Sequence, residues 1–178
     1  MTKYKMTKYE LAKKIFQVSH LTGEFKLRSG AISSEYFDKY QFESNPELLN
    51  EISKYLAEMI DFEYDLLAGL EVGGIPIATA LALRTNKPMV FVRKEAKHYG
   101  TAKLVEGQNI KNKELLIVED VVTSGGQIIS SVEELRKQGA IINKAVCVID
   151  REQGGKEILK NNGILLFPLF TMTELKSL

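Results

Sequence analysis

Tryptophan is absent from this 178-residue chain, cysteine occurs once and histidine twice. A lone cysteine, Cys147, excludes an internal disulfide framework and fits a reducing compartment. With only 4 prolines the sequence has no linker-like or low-complexity tract. An excess of one charge is also missing, because 24 Lys and Arg face 23 Asp and Glu and leave a net charge of +1. We therefore expect no nucleic-acid partner that depends on a global basic field.

Long apolar runs are missing too. No stretch approaches the ~20 residues that cross a bilayer, and the N-terminal MTKYKMTKYELAKKIF is too charged for a signal peptide. We expect a soluble cytoplasmic protein without a membrane partner. What is present, 44% hydrophobic and 26% charged residues, is typical of a globular protein of about one domain.

The first third of the chain has mixed patterns. Thr7 and Glu10 form a capping-box pattern ahead of a helical apolar spacing, which predicts a helix over 7–20. Two short β-favouring stretches, 24–28 and 33–38, predict a hairpin. Asn45 and Pro46 then begin a helix with an apolar stripe. We therefore expect the first third of the chain to form an N-terminal addition to the domain that follows.

From residue 64 onward, apolar strands and amphipathic helices alternate. Strands are predicted at 66–70, 88–92, 114–118, within 141–149 and at 164–167, and helices at 75–83, 127–138 and 152–161, with a last one capped by Thr171 and Glu174. Fully apolar strands in such an alternation predict an α/β fold with a doubly wound parallel sheet and helices on both faces. Ligands of such sheets bind at the carboxyl ends of the strands.

The segment 119–127 is the most informative part of that edge. Thr123, Ser124, Gly125 and Gly126 lie between a strand and a helix, where hydroxyls and close backbone N–H groups can cradle a phosphate. Glu119 and Asp120, just before them, suit sugar hydroxyls or a hydrated Mg²⁺. The alternative, a simple turn with solvated acids, is weaker because acids, hydroxyls and glycines occur in one order at the predicted ligand edge.

A basic segment follows the strand at 88–92. Arg93, Lys94, Lys97 and Lys103 outnumber Glu95 and Glu106, and the lack of a period indicates a loop over 93–107. Its charge suits a departing diphosphate. On charge alone, a solvated basic hairpin is an equal alternative.

The stretch VEDVVTSGG resembles the signature by which type I phosphoribosyltransferases bind phosphoribosyl diphosphate (PRPP). The resemblance implies that the catalytic acids Glu119 and Asp120 contact the ribose hydroxyls and that the turn after them holds the 5-phosphate. It also implies an N-terminal hood over the sheet. The PRPP-binding residues it implies here are Glu119, Asp120, Val121, Val122, Thr123, Ser124, Gly125, Gly126 and Gln127.

RKEAKHYG is similar to the catalytic loop of the orotate-specific members of that family. This likeness implies that Arg93, Lys94 and Lys97 bind the diphosphate, with Lys97 the most important for the rate. It also implies a homodimer, in which the loop 93–107 reaches the neighbouring active site. Tyr99 departs from the histidine common at its position, although its hydroxyl still donates to a phosphate.

Base selection is carried by two other stretches. FKLRSGAISSEYFD resembles the segment that places two aromatic rings, here Tyr36 and Phe37, around orotate, with Arg28 near PRPP. VIDREQGG resembles a run whose arginine, here Arg151, meets the orotate carboxylate, and Thr123 is expected beside the same base. Taken alone, the aromatic pair also fits core packing, and the arginine fits a surface ion pair.

Gly73 is a further departure, since some orotate-specific members carry a PRPP-contacting lysine at that position. The backbone N–H groups of 72–74 are then expected to meet the diphosphate. Taken together, the resemblance implies a single domain over 1–178, with a hood over about 1–40 and a core over 41–178. The implied reaction joins ribose 5-phosphate from PRPP to orotate in pyrimidine (UMP) biosynthesis, giving orotidine 5'-monophosphate and diphosphate.

Mg²⁺ is the implied cofactor, carried by PRPP and in reach of Glu119 and Asp120 through water. Two alternatives remain open at this point: a phosphoribosyltransferase for another nucleobase, and a PRPP-sensing regulatory protein. The second asks for a basic face or an added DNA-binding domain, which neither the net charge nor the length supplies.

Overall fold

The computed structural model describes residues 6–26, 30–94 and 104–178. The N-terminal elements are α1 (Lys8–Ser19), β1 (His20–Lys26), β2 (Ile32–Phe37), α2 (Tyr40–Glu43) and α3 (Pro46–Met59). The remaining elements are β3 (Leu66–Leu70), α4 (Gly74–Thr85), β4 (Met89–Val92), β5 (Val105–Gly107), β6 (Glu114–Val122), α5 (Gly126–Lys137), β7 (Ile141–Asp150), α6 (Gly155–Asn161), β8 (Leu165–Thr171) and α7 (Met172–Lys176). Within these ranges, no helix combines the length and apolar character that spanning a membrane requires.

The N-terminal helix and hairpin form as the sequence predicts. Thr7 caps α1 by accepting a hydrogen bond from the backbone N–H of Glu10, and the Glu10 carboxylate accepts from Thr7 in return. β1 and β2 pair in antiparallel fashion, so the predicted hairpin is confirmed, with strands that begin earlier than expected. Asn45 caps α3 as expected. The short α2 has no counterpart in the sequence prediction.

Six strands form the main sheet, in the order β5-β4-β3-β6-β7-β8. All neighbours are parallel except β4 and β5, which confirms the doubly wound α/β prediction apart from one antiparallel edge. The chain first runs from β3 outward to β4 and later returns to the other side of β3 with β6. The carboxyl ends of β3 and β6 therefore flank the point where such sheets bind ligands.

Helices cover both faces of this sheet. One apolar cluster joins buried side chains of α1, α3, α4 and α7 to the sheet, for example Leu11, Ile52 and Leu175. The other cluster joins α5 and α6 to the opposite face through Val132 and Leu159. Burial on both sides explains why the central strands read as continuous apolar runs rather than as alternating ones.

Several predicted boundaries are wrong. β6 continues to Val122 rather than ending at Val118, because β7 runs beside it and extends the ladder of hydrogen bonds through Val122 and Asp150. The predicted loop over 93–107 ends in a strand, β5. α6 begins at Gly155 rather than at Glu152. β8 extends to Thr171 through Pro168, which an edge strand tolerates.

Candidate active site

A cavity of about 700 Å³ opens at the carboxyl edge of the sheet, between β6 and the hood. It is lined by Tyr36, Phe37, Lys39, Tyr40, Glu119, Val121, Val122, Thr123, Ser124, Gly125, Gly126, Gln127, Ile128 and Arg151. The predicted phosphate turn, the predicted aromatic pair and the predicted carboxylate-binding arginine therefore face one space. These three features are far apart in the sequence, and the fold brings them together.

The phosphate turn has the geometry that an anion site needs. Gly125 has a φ of +74°, a left-handed conformation that glycine adopts without strain, and it is the N-cap residue of α5. Thr123, Ser124, Gly126 and Gln127 are exposed to the cavity side. Because no side chain caps α5, its first backbone N–H groups remain available to a phosphate.

The two predicted acids lie inside β6 rather than in a loop. Glu119 is only 7% exposed yet lines the cavity, whereas Asp120 is fully buried and does not line it. Oδ2 of Asp120 lies 2.5 Å from Nζ of Lys39, and Oδ1 accepts from the backbone N–H of Val121. The alternative of two solvated acids at a simple turn therefore does not hold for Asp120. Its contact with the ribose stays a prediction.

Protonation in this cluster follows from burial and from one cation. Burial, followed by the hydrogen bond and charge of Asp120, raises the pKa of Glu43 to about 8. The same causes, again led by burial, raise the pKa of Glu119 well above its usual value. Burial also acts to raise the pKa of Asp120, but hydrogen bonds from Glu119, Glu43 and Lys39 outweigh it and lower the pKa. Asp120 is thus the carboxylate that carries the charge.

Lys39 keeps its charge in this cluster. Burial alone would lower its pKa, but the hydrogen bond and the charge of Asp120 raise it. The side chain is 33% exposed, and its ammonium also lies 5.3 Å from the centre of the Tyr40 ring. Lys39 therefore contacts the buried carboxylate of Asp120 and also lines the open cavity.

The turn between β3 and α4 lies behind this cluster. A Cβ atom at Gly73 would overlap with Oδ2 of Asp120 and would stand 2.9 Å from Oε1 of Glu43. The absence of a side chain at residue 73 thus makes room for the two carboxyl groups. The contact of the 72–74 backbone with a diphosphate stays a prediction.

The base side of the cavity is formed by the hood and by the end of β7. The ring of Tyr36 is stacked on that of Phe25, with 5.5 Å between their centres, and Tyr36 remains 43% exposed. The backbone N–H of Arg151 donates to the carbonyl of Val122 at 2.8 Å, which fixes it beside the phosphate turn. Among the described residues, Nε of Arg151 is buried and has no hydrogen-bond partner. An acceptor supplied by a ligand would satisfy it.

The basic segment is anchored at its two ends. The backbone N–H of Arg93 donates to the carbonyl of Leu104, and that of Lys94 donates to the carboxylate of Glu71, both at 2.9 Å. Gln127 in turn donates to the carbonyl of Glu71 at 3.0 Å, which ties this corner to α5. Arg93 and Lys94 are not among the described residues that line the cavity.

Three predicted site residues, Arg28, Lys97 and Tyr99, lie outside the described residues. Their roles stay predictions. Lys39 and Glu43, in contrast, are site residues that the sequence analysis missed. The signal was faint, because a lysine and a glutamate four residues apart near a helix start are usually a solvated pair.

Comparison with known proteins places these features in a family. The model of the Phosphoribosyl transferase domain matches residues 39–166 of this chain. Orotate phosphoribosyltransferase of Nocardioides sp. is 43% identical over 165 residues, which cover 93% of this chain and 92% of that protein.

Solved structures of orotate phosphoribosyltransferases are also similar to this chain. The crystal structure of orotate phosphoribosyltransferase from Aeropyrum pernix has a TM-score of 0.83 and 33% identity, covering 94% of this chain and 96% of that one. The orotate phosphoribosyltransferase of Mycobacterium tuberculosis, crystallised in complex with PRPP, has a TM-score of 0.81 over 95% of this chain and 98% of that one. At 24% identity, the latter likeness shows the fold alone.

Proposed function

The chain belongs to the orotate phosphoribosyltransferases, a family of pentosyltransferases in pyrimidine biosynthesis, and we propose that its cavity binds PRPP and orotate side by side. The observation that carries the proposal is the shared cavity. The phosphate turn, Tyr36 and Arg151, whose buried Nε has no hydrogen-bond partner among the described residues, all line the same cavity of about 700 Å³. A phosphorylated sugar and a planar carboxylate-bearing base need these three features at one place.

The binding roles follow from the chemistry of each wall. The 5-phosphate of PRPP lies against the backbone N–H groups of 124–127 and the hydroxyls of Thr123 and Ser124. The carboxylate of orotate pairs with the guanidinium of Arg151, while Tyr36 and Phe37 contact the ring. Held in this way, N1 of orotate faces C1 of the ribose.

The reaction is a substitution at the ribose C1. The bond from C1 to the diphosphate oxygen breaks and a bond from C1 to N1 of orotate forms, while the electron pair leaves with the diphosphate. The negative charge of orotate at neutral pH lies on its carboxylate, and N1 still carries a proton. That proton leaves N1 as the C1–N1 bond forms and passes to an oxygen of the departing diphosphate, so the protein need not supply a strong base. The protein's contribution is to align the two reactants, to stabilise charge on the diphosphate and to exclude water.

Mg²⁺ fits this site as an ion that arrives with PRPP. No group of three or more His, Cys, Asp or Glu side chains suited to hold a metal occurs among residues 6–26, 30–94 and 104–178. Glu119 faces the cavity and is placed to meet a water of the hydrated ion. When bound, the ion neutralises part of the negative charge on the diphosphate.

The basic loop and a second subunit complete the proposal. Lys97, and Arg93 and Lys94 at the start of the loop, neutralise the diphosphate as it leaves, with Arg28 and Tyr99 also contacting PRPP. The loop over 93–107 does so in the active site of the partner in a homodimer. Gel filtration with light scattering tests the assembly, and a monomer at micromolar concentration would contradict it.

A base panel tests the function. The protein is mixed with PRPP and Mg²⁺, and orotate, uracil, adenine and hypoxanthine are offered separately while consumption of each base is followed. We expect orotate alone to be consumed, with one orotidine 5'-monophosphate formed for each diphosphate released. Consumption of another base would support a phosphoribosyltransferase of different specificity. PRPP binding without consumption of any base would support a regulatory protein.

A further inference from the structure

We propose that Lys39 binds the diphosphate of PRPP and supplies, from the hood side, a cation that the turn at Gly73 lacks. The proposal rests on the proposed function, because it assigns a residue to the PRPP site of that same cavity. Lys39 belongs neither to the phosphate turn nor to the basic loop.

The described lining of the cavity contains few positive charges, and this points to Lys39. Two cationic side chains line it among the described residues, Lys39 and Arg151. The phosphate turn from Thr123 to Gln127 offers hydroxyls and backbone N–H groups but no positive charge. Arg151 lies beside the carboxylate end of the proposed base site. Of the two cations in this lining, Lys39 is therefore the one that can face the second anionic group of PRPP.

The position of the Lys39 ammonium, close to the β3–α4 turn, also supports a role at the diphosphate. The ammonium of Lys39 lies 2.5 Å from Oδ2 of Asp120, the same oxygen that a Cβ atom at Gly73 would overlap. The ammonium thus stands next to the β3–α4 turn. The N-terminus of the 12-residue α4, which has no side-chain cap, begins at that turn. A positive helix end and an ammonium group converge there, as a diphosphate site requires.

The remaining hydrogen-bonding capacity of Lys39 is the third argument. An ammonium has three N–H donors, and a single carboxylate oxygen does not use all of them. The side chain is 33% exposed although its partner Asp120 is fully buried. The side chain also lines the cavity, so donors that Asp120 does not use can meet a ligand there.

Binding measurements on Lys39→Met distinguish a lysine that binds the diphosphate from one that serves only as the counter-ion of Asp120. Calorimetry in Mg²⁺ compares PRPP with ribose 5-phosphate, which lacks the diphosphate. We expect PRPP to bind about 10- to 100-fold more weakly, since a charge-assisted contact is lost, and ribose 5-phosphate to bind within about twofold of the wild type. Lys39→Arg should recover most of the loss. Lys14→Met is the matched control, since Lys14 is also paired with a carboxylate, at 2.9 Å, but lies outside the cavity.

Two results would overturn the proposal. Equal weakening of both ligands would make Lys39 a structural counter-ion of Asp120, and unchanged PRPP binding would remove it from the site. If the wild-type protein binds no PRPP, the proposed function itself fails, and the role of Lys39 fails with it.

A second experiment uses the unmodified protein, in case Lys39→Met fails to fold. Acetylation of lysine amines, read by mass spectrometry, is compared without ligand, with ribose 5-phosphate and with PRPP, each in Mg²⁺. We expect PRPP alone to slow the labelling of Lys39 at least several-fold, while labelling of Lys14 stays constant. Labelling of Lys39 at the same rate in all three samples would contradict the proposal.

Discussion

A Cβ atom at Gly73 would overlap with Oδ2 of Asp120, so the buried carboxylate of β6 occupies the space that a side chain at the β3–α4 turn would fill. Gly73→Ala should push Asp120 away from Lys39 and disturb the turn that is proposed to face the diphosphate. We expect a loss of about 1–3 kcal/mol in the free energy of unfolding and a rise of about tenfold or more in the KM for PRPP. Urea unfolding and steady-state kinetics measure the two effects. A variant with normal stability and a normal KM for PRPP would show that neither property depends on the position of Asp120.

Neighbouring glycines after β7 allow a matched comparison. A Cβ atom at Gly155 would overlap with the carbonyl oxygen of Thr123 and stand 2.9 Å from Cγ1 of Val122, so Gly155→Ala should displace the phosphate turn. Gly154 has a φ of +85° but no neighbour within 4 Å. Gly154→Ala should therefore cost about 1 kcal/mol of stability through backbone strain alone.

Kinetics distinguish these two variants. We expect Gly155→Ala to raise the KM for PRPP about tenfold or more, because it displaces the turn that is proposed to hold the 5-phosphate. Gly154→Ala should leave this KM within about twofold of the wild type. An equal effect of the two substitutions on KM would mean that Gly155 does not support the phosphate turn.

Arg151 is predicted to select the base. Its Nε is buried without a hydrogen-bond partner among the described residues, and its backbone is tied to Val122. Arg151→Gln should raise the KM for orotate about 10- to 100-fold through loss of a charge-assisted pair, while the KM for PRPP changes little. Steady-state kinetics with each substrate varied in turn provide the test. A rise confined to the KM for PRPP would mean that Arg151 binds PRPP rather than orotate.

Stability should depend on pH through Glu43. The folded protein keeps a proton on this carboxyl up to about pH 8, whereas the ordinary value that applies to the unfolded chain is 4.5. The stabilisation from that proton is complete below pH 4.5 and is lost as the pH rises toward 8, by at most about 1.4 kcal/mol per pH unit. Glu43→Gln, which keeps a hydrogen-bond donor toward Asp120 at every pH, should have a flatter profile between pH 5 and 8.

Urea unfolding at pH 5, 6, 7 and 8 compares the two proteins. Glu119 also has a raised pKa and acts in the same direction, so the difference between wild type and Glu43→Gln isolates Glu43. Parallel profiles would mean that Glu43 is ionised in the folded state.

The elements that the sequence predicts well are those with strong local signals. Thr7 with Glu10, Asn45 with Pro46, and the glycines at 125 and 126 mark helix starts through short-range hydrogen bonds and backbone conformation. These interactions depend on residues within four positions of each other, so a linear sequence contains them in full.

The parts that the sequence analysis missed depend on distant pairing. The extension of β6 through Asp120 comes from β7 alongside it, and β5 forms because Val105 pairs with Val92. The cluster of Lys39, Glu43 and Asp120 joins α2 to β6 across some 80 positions of chain and surrounds a glycine from a third element. No local pattern encodes such a meeting, whereas the phosphate turn lies within five consecutive residues.

A crystal structure of the protein with PRPP and Mg²⁺ shows whether the cavity above β6 is the PRPP site. We expect density for the 5-phosphate against the backbone N–H groups of 124–127, with the diphosphate toward Lys39 and the 72–74 turn. PRPP bound elsewhere, or a cavity closed by the protein's own side chains at saturating PRPP, would mean that this cavity does not bind PRPP.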